Sequence, residues 1–134
     1  MEDKFMDIAL EEAKKALQKE NVPVGAVIIK NNKIIAKAHN LKKSSKNVMD
    51  HAEIICIKKA NKKIKDWRLN GCDMYVTLEP CEMCKEVINS SRITNVYYSS
   101  KRRNKVNYQQ TRYILVSNKN NYQEILKNFF KKIR

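Results

Sequence analysis

The chain has 134 residues, which is long enough for a hydrophobic core, and we expect residues 1–134 to form one domain. Its longest apolar run, Val24–Ile29, is far shorter than the roughly 20 residues of a membrane-spanning helix, and no hydrophobic segment follows Met1. A net charge of +14, from 28 basic and 14 acidic residues, favours a polyanionic partner such as nucleic acid. Lysine supplies 22 of those 28 basic residues, however, and an AT-rich genome would produce the same bias.

Hydrophobic periodicity predicts alternating helices and strands. Apolar residues recur at helical spacing near the N-terminus, and Pro23 ends that pattern. The next segment is apolar at nearly every position, as in a strand buried on both faces, and Asn31-Asn32 favours a tight hairpin turn. A basic, polar loop over 41–50 leads to the second helix. The predicted elements are a helix over 2–20, strands over 24–29 and 33–39, a helix over 51–65, a strand over 73–78, a helix over 81–90, strands over 93–98 and 112–117, and a helix over 122–133.

This order predicts an α/β domain in which helices cover both faces of a central sheet. Crossovers through the two middle helices would place neighbouring strands parallel, while the hairpin is antiparallel. We therefore expect a three-layer α/β/α fold with a mixed sheet of about five strands. The N-termini of the two middle helices should meet at one end of this sheet.

The chain has four cysteines, and two of them form a C-x-x-C motif at Cys81 and Cys84. This usage suits metal binding in a reducing compartment, the cytoplasm, better than a disulfide framework. Residues three apart on the first turn of a helix face the same side, and Pro80 suits the start of that helix. The partial positive charge of a helix N-terminus favours thiolate, the form that binds metal. His51 begins the other middle helix and is the third candidate ligand.

Glu53 follows His51 by two residues, and at the first turn of a helix both side chains can point past its end toward a common centre. Three protein ligands leave a fourth position for water, whereas a structural zinc site usually has four. A carboxylate that contacts this water without binding the metal is suited to proton transfer. Two thiolates and one imidazole favour Zn2+. The alternative is a structural zinc site with His39, Cys56 or Cys72 as the fourth ligand.

His51-Ala52-Glu53 and the Pro80–Cys84 segment match the H-x-E…P-C-x-x-C signature of the zinc-dependent nucleobase deaminases. Beyond that signature, the sequence resembles the bacterial tRNA-specific adenosine deaminases over most of residues 5–98 and again in the last helix. The resemblance is carried by Val22–Val27, His39-Asn40, His51–Ile54, Asp66–Leu69, Tyr75–Cys84, Ser91–Ile93 and Leu126–Lys131.

This resemblance implies a cytidine-deaminase-like fold, a homodimer, and hydrolytic deamination of the wobble adenosine in a tRNA anticodon stem-loop to inosine. The typical substrate is an arginine tRNA. By the same resemblance, one Zn2+ per subunit is held by His51, Cys81 and Cys84, and Glu53 is the proton donor. Asn40 corresponds to the residue that contacts the target base, and the pocket is lined by Val24, Gly25 and Ala52.

The sequence departs from this family after the fourth predicted strand, where Ser99–Asn104 replaces a glycine-rich loop that carries Asp and Lys. Basic residues near this segment and at the C-terminus are the candidates for contact with nucleic acid: Arg102, Arg103, Lys105, Lys131, Lys132 and Arg134. Two other functions fit the same motifs. One is a zinc-dependent deaminase of a free nucleobase or nucleoside of the guanine or cytosine type, and the other is a non-catalytic zinc-binding subunit that presents tRNA.

Overall fold

The computed structural model describes residues 3–102, 112–115 and 122–132. No helix within these ranges is long and apolar enough to cross a membrane. The predicted elements up to residue 100 are present, and a short helix interrupts the predicted loop over 41–50. In chain order the elements are α1 (Asp3–Gln18), β1 (Gly25–Lys30), β2 (Lys33–His39), α2 (Lys42–Ser45), α3 (Ala52–Ile64), β3 (Cys72–Leu78), α4 (Glu82–Ser90), β4 (Asn95–Ser100) and α5 (Tyr122–Lys132).

The strands form one mixed sheet in the order β2-β1-β3-β4. The predicted hairpin joins β1 to β2 through Asn31 and Asn32, which both adopt a positive φ that asparagine tolerates in tight turns. β1 pairs antiparallel with β3, and β3 pairs parallel with β4. The expectation that a crossover joins parallel neighbours is therefore correct for β3 and β4. It is wrong for β2 and β3, because these two strands are not neighbours in the sheet. β1, apolar on both faces, takes the central place between them, so the crossover through α3 passes over one strand.

Helices cover both faces of this sheet, which confirms the three-layer arrangement. Val27 and Ile29 of β1 pack with Phe5 of α1 on one face. Ala26 and Ile28 point to the other face, where they join a larger core with residues of α3 and α4. The alternation follows from the two-residue period of a strand, and it explains why β1 is apolar at nearly every position.

α1 lies unusually close to β1 at Gly25. A Cβ atom built on Gly25 would lie 2.0 Å from the backbone oxygen of Ala9 and 2.6 Å from the backbone nitrogen of Ala13. Only glycine permits this contact between a helix backbone and a strand. The same helix is tied to β2, because His39 Nδ1 lies 2.8 Å from the buried carboxylate of Glu12.

The C-terminal part of the chain differs from the prediction. Residues 112–115 form no strand and are highly exposed, with Tyr113 at 92% and Leu115 at 97%. Residues 116–117 of that predicted strand lie outside the described residues. A strand needs a paired neighbour for its backbone hydrogen bonds, and residues 112–115 do not pair with β4. Within the described residues the sheet has four strands, so the prediction of about five is wrong. The predicted final helix forms as α5, but none of its residues is buried.

Candidate functional site

The two motifs lie at the starts of α3 and α4, at the end of the sheet where β3 terminates. His51 is the N-cap of α3 and Cys81 is the N-cap of α4, and both have extended backbone conformations. Neither side chain hydrogen-bonds to its own helix, so each is available to face the space between the helices. Buried Ile54 packs against Cys81 and Cys84 and holds the two helix starts together.

The side chains of His51, Cys81 and Cys84 converge with the spacing of a metal centre. Their ligand atoms lie within 4.8 Å of one another. His51 Nδ1 is 3.8 Å from Cys81 Sγ and 3.4 Å from Cys84 Sγ. A tetrahedral zinc ion about 2.1 Å from nitrogen and about 2.3 Å from sulfur would separate these donors by about 3.6 Å. The three residues therefore fit zinc in both chemistry and spacing.

The pKa values of Cys84 and His51 couple metal binding at this centre to the release of a proton. Burial raises the pKa of the Cys84 thiol well above its ordinary value, and the nearby Glu53 raises it further. Burial lowers the pKa of His51, and the charges of Lys42 and Arg102 lower it further, which favours the neutral imidazole that binds metal. The Cys84 thiol must lose its proton when it binds a metal ion, and the positive charge of that ion stabilises the thiolate in this buried position.

The structure separates the alternative fourth ligands from this centre. The His39 ring is hydrogen-bonded to the carboxylate of Glu12 on α1. Cys56 is fully buried in the core with its thiol 3.7 Å from a backbone oxygen, and burial raises its pKa to about 12. Cys72 begins β3, at the opposite end of that strand from the metal centre. Within the described part of the chain, three ligands converge, which is the number that leaves a place for water.

Glu53 lies beside the three ligands but is not one of them. It is buried, with 3% of its surface exposed, and the Cys84 thiol donates a hydrogen bond to its carboxylate. Burial raises the pKa of Glu53, and a hydrogen bond from its own backbone, the hydrogen bond from Cys84 and the charge of Arg102 offset only part of the effect. A buried carboxyl group beside the three ligands is placed to accept and return a proton.

A cleft of about 190 Å³ opens over this centre, and His51, Glu53 and Cys81 contribute to its floor. This volume is below the roughly 300–1,000 Å³ of pockets for drug-sized ligands, and it suits one flat heterocycle. The predicted contact residues Val24, Asn40 and Ala52 line its walls. Asn40 is buried, and its Oδ1 accepts a hydrogen bond from the Lys42 backbone N–H, which orients the amide with Nδ2 as its remaining donor.

The remaining predicted contact residues lie elsewhere. Gly25 does not line this cleft, because it packs against α1 behind Val24. Lys131 and Lys132 are exposed on the last turn of α5. Arg103, Lys105 and Arg134 lie outside the described residues. Arg102 is half-buried in the cleft wall.

Sequence reasoning missed three cleft residues: Val22, Lys42 and Leu78. Lys42 follows Asn40 by two residues, so the basic character of the 41–50 loop was the available signal. Nothing in the sequence indicated which of its lysines would face the cleft, because α2 sets that direction.

A family model and several known proteins are similar in sequence to this chain. The model of the cytidine and deoxycytidylate deaminase zinc-binding region matches residues 1–100. The tRNA-specific adenosine deaminase of Aquifex aeolicus (strain VF5) is 47% identical over 96 residues, which is 72% of this chain and 64% of that protein. The enzyme of the same name in Bacillus subtilis (strain 168) is 45% identical and is covered over 60% of its length. The chain thus spans about three fifths of the length of these curated relatives.

Two solved structures extend the comparison. One comes from a study of A-to-I editing by tRNA:A34 deaminases at the wobble position of transfer RNA. It superposes with a TM-score of 0.73 at 40% identity, covering 75% of this chain and 77% of that chain. The guanine deaminase of Bacillus subtilis superposes with a TM-score of 0.84 over 98% of this chain and 94% of that chain. At 24% identity, the second likeness shows the fold alone.

Proposed function

Because the chain belongs to the cytidine and deoxycytidylate deaminase zinc-binding family, we propose that it converts the wobble adenosine of a tRNA anticodon, in the first instance that of an arginine tRNA, to inosine. The observation that carries the chemistry is the three-ligand centre with buried Glu53 beside it, at the bottom of a base-sized cleft. The choice of substrate is supported by the relatives named tRNA-specific adenosine deaminase at 45–47% identity.

The cleft residues give the adenine a defined position. Val24 and Ala52 provide apolar walls for the ring, and Asn40 offers its amide N–H to an acceptor on the base. A base reaches such a site only when it leaves its stack, and an anticodon loop presents bases in this way. Gly25 contributes indirectly, because its contact with α1 sets the position of Val24.

Zinc held by His51, Cys81 and Cys84 would lower the pKa of a water molecule from about 15.7 to about 7 and so provide a nucleophile at neutral pH. Glu53 takes the proton that water loses as its oxygen adds to C6 of adenine, and passes this proton to N1. It then carries the remaining hydroxyl proton to the exocyclic amine, the C6–N6 bond breaks, and ammonia leaves. The product keeps the proton on N1 and a carbonyl at C6, which is inosine. General acid–base help of this kind contributes roughly 10²–10⁴-fold to the rate.

Assembly and location are further parts of this proposal. We infer a homodimer in the cytoplasm, in which a second copy covers apolar residues that the described fold leaves in solvent. On α5, Ile125 is 60% exposed, Phe129 55% and Phe130 52%. The measurement is molecular mass by light scattering across a range of concentrations. A mass of one chain at every concentration would contradict the dimer.

The direct test uses the zinc-loaded protein and transcribed arginine tRNA with adenosine at the wobble position, with inosine read by sequencing. We expect inosine with the wild type, and a loss of turnover of roughly 10²–10⁴-fold with Glu53→Gln, which still binds zinc. Full editing by that variant would contradict the proton-transfer role. Absence of inosine together with ammonia release from guanine or cytosine would assign the protein to the free-base reaction instead.

A further inference from the structure

Two basic side chains flank the cleft from opposite edges of the sheet. Lys42 begins α2, directly after the edge strand β2, and Arg102 follows β4, which is the other edge strand. Both residues line the cleft over the metal centre. The fold therefore brings together two cations that are 60 positions apart in the sequence.

The side chain of Arg102 is held in place by hydrogen bonds to Glu79. Its backbone N–H donates to Glu79 Oε1 at 3.1 Å, and its Nε donates to the Glu79 backbone oxygen at 3.2 Å. Glu79 Oε2 in turn accepts a hydrogen bond from Lys85 at 3.2 Å. These bonds fix the direction of the side chain and leave its terminal nitrogens as donors. No ion pair with Arg102 occurs among the residues that the structure describes.

Lys42 is held through its backbone. Its backbone N–H donates to Asn40 Oδ1, which places the start of α2 at the cleft wall. Within the described ranges its ammonium group has no ion pair, whereas the neighbouring Lys43 lies 3.5 Å from Glu20. Within the described residues, Lys42 therefore lacks the acidic partner that the neighbouring Lys43 has.

The size of the cleft indicates what these two cations meet. About 190 Å³ accommodates a base but not the sugar and phosphates attached to it, so those groups must lie at the rim. A neutral free base would gain little from two cations there, whereas phosphate oxygens are the ligands that Arg and Lys prefer in nucleic-acid complexes. We propose that Lys42 and Arg102 bind the phosphate groups on the two sides of the target nucleoside and so select a nucleoside within RNA.

This inference rests on the proposed deamination of a base in RNA and adds to it the residues that distinguish RNA from smaller substrates. Arg102 lies just beyond residues 1–100, to which the family match extends. The segment that lacks the glycine-rich loop thereby supplies a phosphate contact of a different kind.

The first experiment measures binding separately from catalysis. A fluorescein-labelled anticodon stem-loop of arginine tRNA is titrated with the zinc-loaded protein at a series of potassium chloride concentrations. For the double variant Lys42→Gln/Arg102→Gln we expect at least about tenfold weaker binding at low salt. We also expect the slope of log K against log salt to fall by about 1.4, because each phosphate contact contributes roughly 0.7 on a single strand.

The matched control is Lys14→Gln/Arg68→Gln, which removes the same net charge. Lys14 is paired with Glu11 on α1, and Arg68 is paired with Asp66 ahead of β3, at the end of the sheet away from the cleft. We expect this variant to bind nearly as the wild type does. Equal weakening by both double variants would mean that overall charge attracts the RNA, and it would overturn the proposal. An unchanged salt slope in the Lys42/Arg102 variant would do the same.

The second experiment compares deamination of the stem-loop, adenosine 5′-monophosphate and adenosine. We expect the Lys42/Arg102 variant to lose at least about tenfold more in kcat/KM on the stem-loop than on adenosine, because any effect of the two charges on His51 and Glu53 is common to both substrates. An equal loss on all three substrates would show that the residues support the fold, and an equal loss on the stem-loop and the monophosphate would assign them to a mononucleotide; either result overturns the inference. If the wild type binds the stem-loop through these residues but releases ammonia only from guanine, the proposed function fails while the phosphate site stands.

Discussion

The metal centre and the C-terminal segment of this chain are built in different ways. The centre lies where two core helices begin, and its residues are held by packing: Cys84 is fully buried and Glu53 is 3% exposed. α5, in contrast, has an apolar face but no buried residue. A catalytic group needs a fixed position, and a dense core provides one. The comparison shows that the core fixes the metal centre, whereas α5 has no buried residue, and that the family match ends between these two regions at residue 100.

The strongest test of this comparison is Cys84→Ser. The variant loses a buried metal ligand, so we expect zinc content to fall far below one per chain and deamination to drop by at least about 10³-fold. Metal analysis and the inosine assay measure both effects. Cys56→Ser is the matched control, since Cys56 is equally buried but lies away from the centre. Retention of zinc and activity by Cys84→Ser would contradict the assignment of the centre.

The next largest effect is expected at Gly25, on the core side of the cleft. The added methyl group of Gly25→Ala would overlap the backbone of α1, so we expect a loss of about 3 kcal/mol in the free energy of unfolding. Chemical denaturation of the metal-loaded protein measures it. Gly71→Ala serves as the comparison, because Gly71 has a φ of +80° but an added Cβ would make only an ordinary contact, at 3.9 Å from Lys30 Cε. Its loss should be about 1–2 kcal/mol. A smaller loss at Gly25 than at Gly71 would contradict the close contact.

A moderate and pH-dependent effect is expected at Glu12. Burial raises the pKa of Glu12, but hydrogen bonds from His39 and Lys15 outweigh it and hold the pKa below the usual 4.5. The stabilisation is therefore present above pH 4.5 and is lost as the pH falls through the lower pKa of the folded state. We expect Glu12→Gln to cost about 1–3 kcal/mol at neutral pH and progressively less below pH 4.5. A cost that is the same at all pH values would contradict the ion pair.

The smallest effect is expected on α5. Phe129 is 55% exposed, so Phe129→Ser should change the free energy of unfolding of the single chain by less than about 0.5 kcal/mol. Ile28→Ala, at a position with no exposed surface, should cost about 2–5 kcal/mol. Thermal and denaturant unfolding at a concentration where the chain is monomeric compare the two. A large cost at Phe129 would show that α5 packs on the domain, and it would remove the contrast between the two regions.

Much of the metal centre was predictable because its information is local. His51 and Cys81 are helix N-caps, and the spacing to Glu53 and to Cys84 places each pair near the start of one helix. The prediction of a strand at 112–117 was wrong over 112–115, because strand formation depends on information that is not local. Its apolar residues suit a strand, but a strand forms only against a partner, and pairing depends on a distant part of the chain.

The amino-acid sequence by itself determined the alternation of helices and strands, the three zinc ligands and the separate carboxylate, because short-range spacing specifies which side chains share a helix start. Only the tertiary structure decided that β1 lies between β2 and β3, that Gly25 serves the contact with α1 rather than the cleft, and that Lys42 and Arg102 both line this cleft. These features depend on contacts between segments far apart in the chain, and such contacts are selected by the packing of the whole core rather than by any local pattern.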